Sequence, residues 1–417
     1  KLSDGWKLRW RARATAAGIT GAWSPWSTFT VDVASGAQKA SSKAASTEPP
    51  AFKLNHLTLE ECEGDRLPDG RYKWRDVALA FSWCFTHWYG VSLYKRAWVD
   101  GKWVKLYVGW VQFRGSTVIN TRIGRQNNDA AYDDPNRKSR DIDVWFKINH
   151  LRYTGDTTQV SLRTYVKKAG DPTTSQCMPT SSTGRQSSLP EWESNKSSLI
   201  TFRSHPGALG PDYVGTCTIS PYIEVGSQIG DEDFPHFSTA PVVACDTASD
   251  NPNAVGGCVF ETANKIMVYD TTSAAHSPVA RHIKDAFYNP GPTAPSNSNK
   301  AVPGNFMAPR ASAQGKPLHR TIDPRLRRDT RDRVVTVCAT LPIIVDTECD
   351  EYPFNSSYEG GGRVWKTAAL TDNYSVRRVF ASQNGSAGTT LNWFYWRYRI
   401  LDNDPFWVMI TTDNVPQ

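Results

Sequence analysis

The chain has no apolar run approaching the roughly eighteen residues that a membrane-crossing helix needs, so a helical membrane span is excluded. It has no Cys-x-x-Cys pair, and no second cysteine or histidine at zinc-finger spacing, which removes the common structural zinc sites. The middle of the chain shows no clear internal repeat. No signal-peptide pattern is visible and the first residue is Lys1 rather than Met, from which we expect a processed or trimmed piece of something larger. Excess charge is also scarce: a net +7 over 417 residues is modest, so any polyanion-binding role must rest on local clustering.

What is present points to a multidomain, β-rich exported protein. A chain of 417 residues exceeds one ordinary core, and two or three domains are expected. Trp, Tyr and Phe occur 16 times each, which favours strands because aromatic side chains suit a pleated, half-buried surface. The eight cysteines fall into sequence-local pairs, Cys62/Cys84, Cys177/Cys217, Cys245/Cys258 and Cys338/Cys349. Spacing leaves the connectivity open, with nearest-neighbour bridging as the working expectation. An even, scattered set reads as disulfides formed in an oxidising, secreted setting.

Residues 1–33 alternate at "WKLRWRARA" and again at "STFTVDV" around a glycine-containing turn, the pattern of a hairpin. With its "WSPWSTFTV" close, this stretch resembles the last two strands of a fibronectin type III domain. Residues 34–51 are small, polar and proline-terminated, a flexible linker. Residues 52–240 carry repeated strand signals, "VALAFSWCF", "KWVKLYVGWVQF" and "DIDVWFKINHL" among them, punctuated by turns such as "VDGKW" and "YTGDTT". They predict an antiparallel sandwich or barrel of unassigned function. Its tryptophans either fill a β core or line a face for a glycan or protein ligand.

Residues 241–417 change character, toward an α+β pattern. In "SPVARHIKDAF", Ser277 as cap and Pro278 at the first turn open a helix. Val279, His282, Ile283, Ala286 and Phe287 fall on one face of it. "DPRLRRDTRDRVVTVC" predicts a second helix capped by Asp323, with Arg325, Arg327, Arg328 and Arg331 in the densest basic stretch of the chain. Such a run is either a solvated helix face or a phosphate-binding one. "CDEYPFNSSYEGGG" then sets Asp350 beside Glu351, two carboxylates that repel unless a cation, a base or solvent receives them. "RVWKTAAL" and "SVRRVFAS" read as a hairpin around "TDNY", and Leu391, Phe394, Tyr395 and Tyr398 mark a last helix after "SQNGSAG".

The order of "CDEYPF", "YEGG", "NGSAGTTL" and "RILDNDPFWV", preceded by "VACDTAS…GGCVF" and "PVARHIKDAF", resembles the NucA/NucB deoxyribonucleases over residues 241–417. The resemblance implies a nuclease domain of ββα-metal type that hydrolyses DNA phosphodiester bonds. It makes Asp350 and Glu351 the candidates for water activation and Glu359 the next acid of the pattern, catalytic or metal-ligating. Asn384 becomes the metal ligand or phosphate contact, and His282 supports the site. It implies one divalent metal ion, Mg2+ first, with Mn2+ and Ca2+ as alternatives. Gln383 departs from the Asp-Asn pair common in the family, which removes a charged donor and puts full activity in question. His319, just before the arginine run, is a minor candidate.

Two readings follow. In one, the chain is a secreted, metal-dependent endonuclease, the toxic end of a larger exported protein, with DNA as substrate and an inhibitor or immunity protein as partner. In the other it is an adhesion or binding protein carrying an inactive nuclease-like domain. Asp350, Glu351, Glu359 and Asn384 favour the first reading; Gln383 is the feature favouring the second.

Overall fold

The computed structural model describes four short strands between residues 7 and 30. From 54 to 416 it describes all but short segments, the longest at 65–75, 168–175, 206–213, 228–240, 249–255 and 365–371. The chain divides into two compact units, Lys1–Pro49 and Pro50–Gln417. In the first, Lys7–Trp10 pairs antiparallel with Ser27–Thr30, the two strands that the alternation picks out, while the 34–51 linker lies outside the described residues. No described helix is long and apolar enough to cross a membrane.

The second unit begins with antiparallel sheets. A six-stranded sheet is built on the long pair Ser82–Val99 and Lys102–Asn120, with Asp141–Gly155 and Ser197–His205 beside it. Alternation along these strands sends Val144, Phe146 and Ile200 into one core with Leu162, Ile223 and Val225 from a three-stranded sheet. The expected antiparallel, β-rich middle is therefore present. All eight cysteines bridge to their nearest neighbours in sequence.

Strand Val242–Asp246 pairs antiparallel with Val214–Thr218 on one side and Gly257–Phe260 on the other, and Val243, Cys245, Cys258 and Phe260 belong to the β-rich core. The change of packing partners thus comes after Ala263 rather than at residue 241. Across this seam Arg399 Nε donates to Asp246 Oδ2 at 2.8 Å, both residues buried. Trp396 packs against Leu54, Phe81 and Val259.

Beyond the seam, Ile266–Asp270 and Pro405–Thr412 pair in parallel. Their side chains share a core with Val279, Ile283, Ala286 and Phe287 of helix Ser277–Tyr288, the face expected from the spacing. His276 rather than Ser277 occupies its cap position. Helix Pro324–Cys338 starts as expected, with Asp323 accepting from the Arg325 N–H.

Ser375–Phe380 pairs with Thr347–Tyr352, from Thr347↔Phe380 to Tyr352↔Ser375, a partner that the expected hairpin did not include. Gly361–Val364 is a short helical turn, and most of "RVWKTAAL" lies outside the described residues. Alternation specifies a strand and its faces but is silent about which strand it meets. Helix Ala381–Arg397 follows at once, giving the order strand, strand, helix. Gln383, Asn384 and Gly385 are therefore helical, not a loop ahead of the helix.

Candidate active site

Strand Thr347–Tyr352 carries the acids, and its alternation divides them. Cys349 and Glu351 face helix Pro324–Cys338: Cys349 bridges to Cys338, and Glu351 lies in the field of Arg331 and Arg327. Glu348 and Asp350 face the other way. Asn384 Nδ2 of the last helix donates to Glu348 Oε2 (3.2 Å), and His282 of helix Ser277–Tyr288 reaches Asp350. The glycine run packs against the arginine helix. A Cβ on Gly362 would lie 2.1 Å from the Thr330 nitrogen, and one on Gly361 would strike the Tyr374 ring, so the turn after Glu359 can hug the arginine helix only as glycine.

At the end of the strand these elements leave a cleft of about 230 Å3, lined by Asp350, Glu351, Arg327, Asn384, Asn392 and Tyr269 among others. His282 is fully buried. Its Nδ1 lies 2.6 Å from Asp350 Oδ2 and its Nε2 2.7 Å from Ser375 Oγ. With Asp350 ionised, Nδ1–H donates to it, and a neutral ring leaves Nε2 to accept the serine hydroxyl. One carboxylate of the adjacent pair is thereby fixed in orientation. Glu351 accepts the Asn355 N–H (3.1 Å). Burial, and then the neighbouring Asp350 charge, push its carboxyl up to about 7, against opposing pulls from the Asn355 N–H, Arg331 and Arg327. A carboxylate titrating near neutrality is suited to taking a proton from water.

The remaining sequence candidates are placed as follows. Glu359 does not line the cleft: its two oxygens accept from the His319 N–H (2.9 Å) and meet His319 Nδ1 (2.8 Å). The hydrogen bond to Glu359 raises the His319 pKa. Gln383 is half-buried and donates to the Ala274 carbonyl (3.0 Å), and it does not line the cleft. The arginine run splits: Arg327 lines the cleft and Arg331 acts on Glu351, one helical turn apart, whereas neither Arg325 nor Arg328 lines it. Tyr269, Asn355, Ser375 and Asn392 join the site without having been singled out. Asn392 was within reach, because Asn384, Gly388 and Asn392 recur at intervals of four on one helix face. Tyr269, held by its hydroxyl to the Ala387 carbonyl (2.9 Å), has no local signal.

The donors of the cleft are carboxylate and amide oxygens, which suit a hard divalent cation. Among the described residues no three His, Cys, Asp or Glu side chains converge as a cage. Oxygen donors of this kind fit an ion such as Mg2+, which keeps several waters and takes one or two carboxylates. A second cavity, about 330 Å3, lies at the seam between Asp246, Arg399, Lys265 and Asp404. Four of its charged groups are engaged as the pairs Arg399–Asp246 and Lys265–Asp404, whereas the adjacent acids Asp350 and Glu351 line the smaller cleft.

Residues 324–409 match the family model described as deoxyribonuclease NucA/NucB. The matched segment includes the arginine helix, the acid strand and Asn384; it is preceded by Tyr269, which lines the cleft, and by His282, which holds Asp350 from behind it. No curated protein and no solved structure matches the chain.

Proposed function

We propose that the C-terminal part of this chain is an extracellular, metal-dependent endonuclease of ββα-metal type that hydrolyses DNA phosphodiester bonds. The observation that carries this reading is the meeting of Asp350, Glu351, Asn384 and Arg327 in one cleft of a segment that matches a deoxyribonuclease family. Glu351 is the base: the attacking water gives it a proton while its oxygen bonds phosphorus and the bond from phosphorus to the leaving sugar oxygen breaks. Asp350, oriented by His282, and the Asn384 amide oxygen would hold the cation. A divalent ion bound there stabilises the negative charge that builds on the phosphoryl oxygens. Arg327 takes the scissile phosphate, and Arg331 limits how far burial raises Glu351. Glu359 acts outside the cleft, by holding His319 and raising its pKa. The four disulfides support an extracellular setting.

Incubation with supercoiled plasmid, with and without chelator and across Mg2+, Mn2+ and Ca2+, tests the proposal. Nicking that a chelator abolishes and one of these ions restores is expected. Intact plasmid under every ion would overturn it.

A further inference from the structure

The strands Ser82–Val99 and Lys102–Asn120 run past the rest of their sheet. On one side the pairing with Asp76–Ala78 reaches only Phe85, and on the other the pairing with Asp141–Gly155 stops at Gly109. Beyond Leu93 the two strands continue alone to the Asp100–Gly101 turn, as a ribbon of residues 94–107 with no further neighbour strand among the described residues. Six residue pairs extend it by about 20 Å.

Both faces of this ribbon are apolar and cationic. On one face Trp98 meets Trp103 edge-on at the tip (5.3 Å between centroids), with Arg96 and Lys105 behind them and Tyr94 and Tyr107 behind those. Trp98 is 60% exposed and Trp103 68%. The other face continues the side that is buried in the module at Tyr89, Val91 and Leu93, but among the described residues no core cluster extends beneath it. It presents Lys95, Ala97, Val99, Val104 and Leu106, with Val99 and Leu106 exposed. Residues 94–107 hold four cations, Lys95, Arg96, Lys102 and Lys105, against the single Asp100.

We propose that the 94–107 ribbon is a membrane-surface anchor whose tip dips into the headgroup–acyl boundary of an anionic bilayer. The two-sided composition decides against a nucleic-acid strand. Bases stack on aromatic rings along one face, which would leave Ala97, Val99, Val104 and Leu106 in water. A lipid interface surrounds both faces at once. Trp and Tyr suit that depth, because a large apolar ring there keeps its polar edge in water, and the cations meet anionic headgroups. The unpaired edges of a two-stranded ribbon keep it at the interface, since backbone groups without partners are costly in the hydrocarbon core.

The test is co-sedimentation of the full chain with phosphatidylcholine vesicles, with and without phosphatidylglycerol. Pelleting with the anionic vesicles that declines as salt rises is expected. Trp98→Ser with Trp103→Ser should lower partitioning by at least about tenfold. Val99→Ser with Leu106→Ser, on the opposite face, should lower it as well, although by less. Lys102→Gln with Lys105→Gln should weaken the preference for anionic vesicles by roughly fivefold per cation. Unchanged thermal unfolding keeps these variants interpretable, since none of the substituted side chains is buried. The proposal fails if the chain pellets with neither vesicle, or if the tryptophan pair is dispensable. It also fails if the opposite-face pair changes nothing while the tryptophan pair loses retention on single-stranded DNA, in which case the ribbon is a one-faced nucleic-acid arm.

Discussion

His282 lies buried between Asp350 and Ser375, its two ring nitrogens 2.6 Å and 2.7 Å from their oxygens, across 68 and 93 residues of chain. The ring does not line the cleft, so its effect on chemistry must pass through Asp350. His282→Gln is expected to keep the fold and to lower turnover by about tenfold or more through loss of orientation, with little change in KM. His282→Ala should in addition destabilise the chain, because it opens a cavity and leaves a buried acid without its partner. Steady-state kinetics beside thermal unfolding separate the two effects. A Gln variant with wild-type turnover would remove the positioning role.

Asp350→Asn and Glu351→Gln should each lower cleavage by about a hundredfold, the scale of a lost acid–base group. Wild-type cleavage should rise with pH through about 7 as Glu351 gives up its proton. Stability should run the other way. Below about 4.5 the residue is protonated in both folded and unfolded chains. Between there and about 7 the unfolded chain releases the proton first, so the contribution to stability falls as pH rises. Glu351→Gln should therefore unfold at a higher temperature than wild type at pH 8, with the difference vanishing near pH 4. An equal gap at both pH values would contradict the assignment.

The arginine helix should divide under mutation. Arg325→Ala with Arg328→Ala should weaken DNA binding on all sequences and flatten its salt dependence by roughly one log–log unit per lost phosphate contact. Turnover at saturating DNA should hold. Arg327→Ala with Arg331→Ala should lower turnover and move the rising limb of the pH profile upward, because both guanidinium groups pull the Glu351 pKa down. Identical behaviour of the two pairs would refute this division.

The Cys338–Cys349 bridge ties the arginine helix to the acid strand one residue before Asp350. Replacing both cysteines by serine should cost about 3 kcal/mol and lower activity before global unfolding. Denaturant titration beside plasmid nicking would reveal this order; simultaneous loss would show that the bridge serves stability alone.

The seam should be as sensitive as a core. Asp246→Asn or Arg399→Met alone leaves a buried charge without its partner and should cost about 3–5 kcal/mol. Asp246→Leu combined with Arg399→Met should recover most of that in equilibrium unfolding. Additive losses in the double variant would mean that the pair contributes little as a pair.

Much of the site was legible in local pattern. Spacing alone put Val279, Ile283, Ala286 and Phe287 on one helix face, and Asp323 with Pro324 marked a helix start, because periodicity and capping are set within a turn or two of backbone. Nearest-neighbour bridging also held for the cysteines, at separations from 11 to 40 residues. The adjacency of Asp350 and Glu351 was visible, whereas their division between two helices was not.

The amino-acid sequence by itself determined the β-rich character of the middle, the apolar face of helix Ser277–Tyr288, the start of helix Pro324–Cys338, and which residues could bear charge chemistry. Tertiary structure decided what these elements meet. It paired Ser375–Phe380 with the acid strand, moved Gln383 and Asn384 into the last helix, and joined residues 242–260 to the β-rich core. It also gave Glu359 to His319, brought Tyr269 to the Ala387 carbonyl 118 positions downstream, and set His282 against Asp350, 68 positions downstream. The physical reason is common to all of these. Alternation and helical spacing record how one segment divides its own surface, while the choice among partners depends on complementary shape and charge from distant parts of the chain.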